Sequence, residues 1–168
     1  YWNGDGTNLP GRMAVEYLRW LCQENRFAKG EFELLGETLS IRDVRLPLCA
    51  VACESDHIAA WKSSFEGISM MGSRQRTFIL SESGHIAGIV NPPSKKKYGH
   101  YTSEAAVSGS PGAWRESASH NEGSWWPRWE DWLRRRSGKK VPARAPGGSD
   151  HPELAPAPGT YVLTDPNS

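Results

Sequence analysis

The stretch LPLCAVACESDHIAAWKSSFEGISMMGSRQRTFILS, residues 46–81, decides the fold. Its first eight residues form a nearly unbroken apolar run, the pattern of a strand covered on both faces. Residues 57–72 then space Ile58, Trp61, Phe65, Ile68 and Met71 at intervals of three and four, which predicts a helix with one apolar face ending at Gly72. Residues 76–81 read as a second strand. Strand, helix and strand in this order normally make a right-handed crossover between parallel strands, so the fold class is α/β.

On the amino-terminal side, residues 1–11 are rich in Gly, Asn, Asp and Pro and read as a loop. Residues 12–27 place Val15, Leu18, Trp20, Leu21 and Cys22 on a broad apolar stripe, predicting a helix that stops before Gly30. Phe32 and Leu34 alternate, the pattern breaks at Gly36-Glu37, and Leu39 and Ile41 resume it, which predicts a short hairpin at a sheet edge. On the other side, Pro92-Pro93 stops the chain and a basic loop follows. Helices are expected near residues 111–119 and 125–136, the second with Trp125, Trp129 and Trp132 on one stripe. From about Ser137 the composition shifts to Gly, Pro, Ala and Ser, with half of the 12 prolines there, so residues 1–136 read as one unit and 137–168 as an extended tail resting on it through APAPGTYVL.

The totals bound the rest. A chain of 168 residues suffices for one domain or part of a larger one. A net charge of +1 with near balance of acids and bases gives no general attraction to nucleic acid or anionic membranes. No apolar run approaches the roughly 18 residues of a membrane span, and the first residues lack the pattern of a secretory leader. Three cysteines, Cys22, Cys49 and Cys53, disfavour a disulfide framework and suit a reducing, cytoplasmic compartment. The opening at Tyr1-Trp2 without Met leads us to expect further residues upstream.

The chemistry is expected where the crossover delivers its polar residues. The first strand leads into Glu54-Ser55-Asp56-His57 and the second into Glu82-Ser83-Gly84-His85, both at the carboxyl edge where ligands collect in parallel sheets. Neighbouring strands lie about 4.8 Å apart, so short loops can bring the Asp56 carboxylate to the His85 imidazole. A carboxylate there fixes the tautomer and supports the imidazolium, and Gly84 is expected to give the backbone room to turn. Acid and then histidine after successive strands is also the closing order of the α/β-hydrolase arrangement, whose nucleophile comes first. No Gly-x-Ser-x-Gly or Gly-x-Cys-x-Gly elbow occurs here.

The blocks WNGDGTNLPG at 2–11, ESDHIAAW at 54–61, SGHIAGIVNPPSKKK at 83–97, GSWWPRWEDWL at 123–133 and PAPGTYV at 156–162 resemble the carboxyl-terminal portion of a polyhydroxyalkanoate synthase, with the class I type most similar. The resemblance implies the carboxyl-terminal part of an α/β-hydrolase fold and an acyltransferase that polymerises (R)-3-hydroxyacyl-CoA and releases CoA. It implies an elbow cysteine on an upstream segment, His85 as general base, and Asp56 either orienting that histidine or activating the 3-hydroxyl of the next acyl group. It further implies a homodimer of the full-length protein at a polymer granule, the acyl-CoA and the growing polyester as partners, and no separate cofactor. A fragment without its nucleophile is expected to be inactive alone.

Each of these residues has an ordinary alternative. Asp56 is equally suited to cap a helix beginning near His57, and His85 to bond loop backbone. His57 reads as a neighbour of Asp56 facing away, not as a second base. Cys53, Asp56, His57 and His85 match no common zinc spacing. Lys95, Lys96 and Lys97 could meet CoA phosphates, but such a run is usually solvated. The tryptophan stripe could face polymer, though at helical spacing it is more often core. Two rival functions remain: a hydrolase on the same core, an esterase or depolymerase distinguished by a serine elbow, and a granule-binding module without catalysis.

Overall fold

A computed structural model describes residues 6–104, 106–145, 147–160 and 163. Trp2, Asn3 and Asp5 of the first motif, and Tyr161 and Val162 of the last, lie outside the described residues.

The helix expected over 12–27 is divided. Helix α1 (Gly11–Glu16) passes into a π-helical stretch, Tyr17–Gln23, and α2 (Arg26–Lys29) follows. The wider winding ends with the Glu24 amide donating to the Arg19 carbonyl at 2.8 Å, and Asn25 at φ 53° then turns the chain left-handed. Trp20 packs edge-on against Phe32 at 6.4 Å, while Val15 and Leu18 stand exposed, so only part of the expected stripe is covered. Strands β1 (Phe32–Leu34) and β2 (Glu37–Leu39) pair antiparallel around Leu35 and Gly36, both at positive φ, as a two-residue type I′ turn requires. This hairpin is a separate two-stranded sheet, not the edge of the main one, and Ile41 lies beyond it in a short 3₁₀ turn, Ile41–Asp43.

The parallel pair joined through a helix forms as expected. Strand β3 (Leu48–Cys53) leads through α3 (Trp61–Met70) to β4 (Arg76–Ser81), and β3 and β4 pair in parallel from Leu48 opposite Arg76 to Cys53 opposite Ser81. Helix α3 begins four residues later than the spacing predicts because the Asp56 carboxylate captures the backbone N–H groups of Ile58 and Ala59. At its other end Arg76 donates to the carbonyls of Ser69, Ile68 and Met71, satisfying groups that the helix leaves open.

Two short strands had no signal in the sequence. β5 (His100–Thr102) pairs antiparallel with β4; helix α4 (Pro111–Ser117) follows; β6 (Ser119–Asn121) then pairs antiparallel with β5. The sheet order is β3-β4-β5-β6, a mixed α/β arrangement that begins with a parallel pair. Helix α4 stops at Ser117 because Ser119 already belongs to the ladder. Helix α5 (Trp126–Arg134) is the last among the described residues, and those of the tail that follow are almost all exposed.

The main core lies on one sheet face. Ala52, Phe78 and Leu80 pack against Phe65 of α3, Trp114 of α4 and Val107. The three aromatic rings meet with centroids 5.0 to 5.6 Å apart. Truncating one such buried ring costs about 3–5 kcal/mol. This cluster holds α3 against the sheet and so fixes where the two carboxyl-edge loops emerge. No described helix is long and apolar enough to cross a membrane.

Candidate functional site

The β3–β4 ladder continues past the ends of both strands. The Glu54 amide donates to the Ser81 carbonyl at 2.8 Å and the Ser55 amide to the Ser83 carbonyl at 3.0 Å, so the two loops leave the sheet joined. Asp56 follows at once. Its Oδ1 accepts from the Ile58 amide at 2.8 Å and the Ala59 amide at 2.9 Å, closing a turn that carries the chain towards α3. The sequence alternative was therefore half right: Asp56 does cap backbone N–H groups, but those of a loop, and α3 starts only at Trp61.

On the second loop, Ser83 takes the left-handed conformation, φ 72°, that makes the corner. Gly84 does not serve the purpose expected of it: a side chain there would meet only the Ser55 carbonyl, at an ordinary 3.8 Å. His85 then enters a compact turn closed by Gly88 N–H donating to the Gly84 carbonyl and Val90 N–H to the Ile86 carbonyl, each at 2.8 Å.

These loops bring the two predicted residues together. His85 Nδ1 lies 3.7 Å from Asp56 Oδ1, within electrostatic reach though longer than a hydrogen bond. The Asp56 side chain is 8% exposed and that of His85 34%, so the carboxylate sits beneath an imidazole that solvent can reach. The Ala59 N–H above all, then the Ile58 N–H and the imidazoles of His85 and His57, hold the Asp56 carboxyl below its usual range against the opposing effect of burial. His57 does not face away: its ring meets that of His85 edge to face at 5.2 Å.

The neighbouring acids are otherwise engaged. Glu54 accepts two hydrogen bonds at 3.1 Å from Arg115 of α4, whose guanidinium stacks 3.3 Å from the Tyr101 ring centroid. Glu82 joins the Gly99 amide to His120 Nε2. Both brace the edge around Asp56 and His85.

Among the cysteines, Cys53 is 1% exposed, and burial first, with the Asp56 charge second, pushes its thiol up to about 11. It is a packed thiol, not a nucleophile at neutral pH. Burial raises the Cys49 thiol as well, while Cys22 is exposed. Under native conditions iodoacetamide is therefore expected to label Cys22 and to leave Cys53 unmodified until denaturant is added. Equal native labelling of both, read by peptide mass, would contradict this packing.

Lys95, Lys96 and Lys97 are exposed on a loop whose backbone is held by the buried Asn91, which donates to the carbonyls of Lys97 and Tyr98 at 2.8 and 2.9 Å. Among the described residues no group of three or more His, Cys, Asp or Glu is placed to hold a metal ion.

Sequence reading missed Gly88. A Cβ on this residue would lie 2.6 Å from Cys53 Sγ, 2.6 Å from the Glu82 carbonyl oxygen and 2.9 Å from that of Gly84. The only signal available was a small residue three positions after the histidine.

No family model matches the chain. Among curated proteins it is 44% identical over 162 residues to a poly(3-hydroxyalkanoate) polymerase subunit of Rhizobium meliloti, covering 96% of this chain and 26% of that protein. It is 43% identical to a poly(3-hydroxyalkanoate) polymerase of Methylorubrum extorquens, covering 96% and 27%, and 37% identical to a polymerase subunit of Cupriavidus necator, covering 96% and 28%. The chain spans little more than a quarter of the length of these relatives. Similarity of this degree runs along almost all of the chain and aligns it with the carboxyl-terminal part of proteins named poly(3-hydroxyalkanoate) polymerase.

Proposed function

We propose that this chain supplies the acid and the histidine of a polyhydroxyalkanoate synthase built on an α/β-hydrolase-type fold, which transfers (R)-3-hydroxyacyl groups from CoA to a growing polyester. The observation that carries this reading is the meeting of Asp56 and His85 at the carboxyl edge of adjoining parallel strands, in a chain similar to named polymerases. With Cys53 packed as a neutral thiol, the reading takes the nucleophile from a cysteine outside these residues. His85 accepts the proton of that thiol, the thiolate attacks the thioester carbonyl, and CoA leaves with the returned proton. In the next step the 3-hydroxyl of an incoming unit loses its proton to the same base and attacks the acyl-enzyme carbonyl. The cysteine leaves with that proton, and the ester chain, one unit longer, stays on the incoming CoA until the thiol takes it up again with release of that CoA. Asp56, ionised at neutral pH, supports the imidazolium in both steps.

No cofactor is assigned, since CoA is part of the substrate. The remaining assignments are a second copy of the full-length protein, the polymer granule surface in the cytoplasm, class I substrate preference, and inactivity of these residues by themselves. The test is to incubate the full-length protein with radiolabelled (R)-3-hydroxybutyryl-CoA. Covalent label on the protein, CoA release and insoluble polyester are expected. Release of free 3-hydroxy acid without polymer would replace this reading with a hydrolase, and absence of any covalent label would replace it with a binding module.

A further inference from the structure

We infer that Trp125 and Trp126 are positioning residues for His85, acting through two indole hydrogen bonds on the turn that carries it. The inference rests on the proposed catalytic role of His85. Trp125 Nε1 donates to the Gly88 carbonyl at 2.8 Å and Trp126 Nε1 to the Ile89 carbonyl at 2.9 Å, each across 37 residues of chain. The Gly88 carbonyl also accepts from Ser81 Oγ, at 2.9 Å, within the last residue of β4. The exit of the histidine turn is thus held from two sides, by the strand beneath it and by the helix beside it.

The clamp is anchored well enough to transmit position. Trp125 is 8% exposed and packs edge-on against Trp126 and Trp129 at 6.3 and 5.9 Å. Arg128, one turn into α5, donates to Thr102 Oγ1 of β5 at 3.0 Å, which ties the helix to the sheet. The path therefore runs from sheet to helix, from helix to indole N–H, and from there to a closed turn of seven residues with His85 second in it. Within that turn the i to i+4 bonds of Gly88 and Val90 leave little freedom for His85 to move independently of its exit. Of the two bonds the Trp125 one is buried and the Trp126 one exposed, so Trp125 carries more of the constraint. Trp125, a member of the stripe expected to be core or polymer surface, is thus also a directed N–H donor, and Trp126 beside it adds a second.

The experiment compares Trp125→Phe with Trp132→Phe in the full-length protein. Phe keeps most of the ring but has no N–H, and Trp132, on the same helix, stacks on Arg136 away from the turn. Rapid-quench trapping of the acyl-enzyme gives both the fraction of protein that acylates and its rate. Trp125→Phe is expected to slow acylation by about 10- to 100-fold while the fraction acylated and KM stay near wild type. Adding Ser81→Ala should slow it further, since the Gly88 carbonyl then has neither donor. Trp132→Phe should acylate at the wild-type rate within about twofold. A Trp125→Phe protein that acylates at full rate, or one whose only loss is in the fraction acylated, overturns the inference. If the wild-type protein forms no acyl-enzyme, the functional proposal fails instead, which is a separate result.

Discussion

Asp56→Asn in the full-length protein is expected, on the proposed function, to cut turnover by about 10²- to 10⁴-fold while leaving the melting temperature close to wild type. Asparagine retains an Oδ1 that can accept from the Ile58 and Ala59 amides, so the loop survives; what disappears is the charge 3.7 Å from His85 Nδ1. Asp56→Ala removes both and should lower activity to a similar degree and melting temperature as well. His85→Ala should match the activity loss without the stability loss, because its side chain is a third exposed. A carboxylate that only shapes the loop would give the opposite ordering, with Asn active and Ala alone impaired. That result would remove Asp56 from the catalytic assignment.

The same carboxylate has a pH signature. Its folded-state pKa is depressed, so its contribution to stability is present above the unfolded value, about 3.9, and is lost as pH falls through the lower folded one. Whatever small margin the charge gives the wild type over Asp56→Asn in melting temperature should therefore close as pH drops below about 4 and be constant above about 5. Melting curves at a series of pH values check this.

How much of this was legible in sequence follows from the range of the interactions involved. The parallel pair was readable because apolar runs with a three-and-four-spaced helix between them leave few other packings, and from that pair alone Asp56 and His85 fall at one edge. The start of α3 was misplaced because a single side chain, Asp56, competes for the N–H groups of Ile58 and Ala59, and periodicity does not register such competition. β5 and β6 carry three residues each, HYT and SHN, too few to show alternation, and they form only because β4 offers an open edge. The continuous helix over 12–27 failed at Asn25, whose left-handed backbone no apolar pattern reports. In the site, Gly84 drew attention by adjacency to the histidine, while the positions that shape the turn, Ser83, Gly88, Trp125 and Trp126, act through backbone conformation or through contacts that span 37 residues.

Gly88→Ala is expected to be the most damaging small substitution in the site, destabilising the protein by about 1–3 kcal/mol and reducing activity beyond what the stability loss explains. The new methyl would press on three fixed atoms: Cys53 Sγ at the end of β3 and the carbonyl oxygens of Glu82 and Gly84. None of them lies at the far end of a flexible chain. Cys53 is buried in the strand, the Glu82 backbone is held by its amide donating to the Gly99 carbonyl, and the Gly84 carbonyl is already accepting from the Gly88 amide. Relief must therefore come from the turn itself, which carries His85 away from Asp56. Combining Gly88→Ala with Cys53→Ala tests this, since the double variant removes the sulfur contact and leaves both carbonyl contacts in place. Urea unfolding of the four proteins of the cycle should show a favourable coupling that restores less than half of the Gly88→Ala loss, and acylation should remain slow. Full recovery of rate and stability by Cys53→Ala would mean that the sulfur alone sets the space at Gly88, and that the turn does not depend on its backbone contacts to hold the histidine.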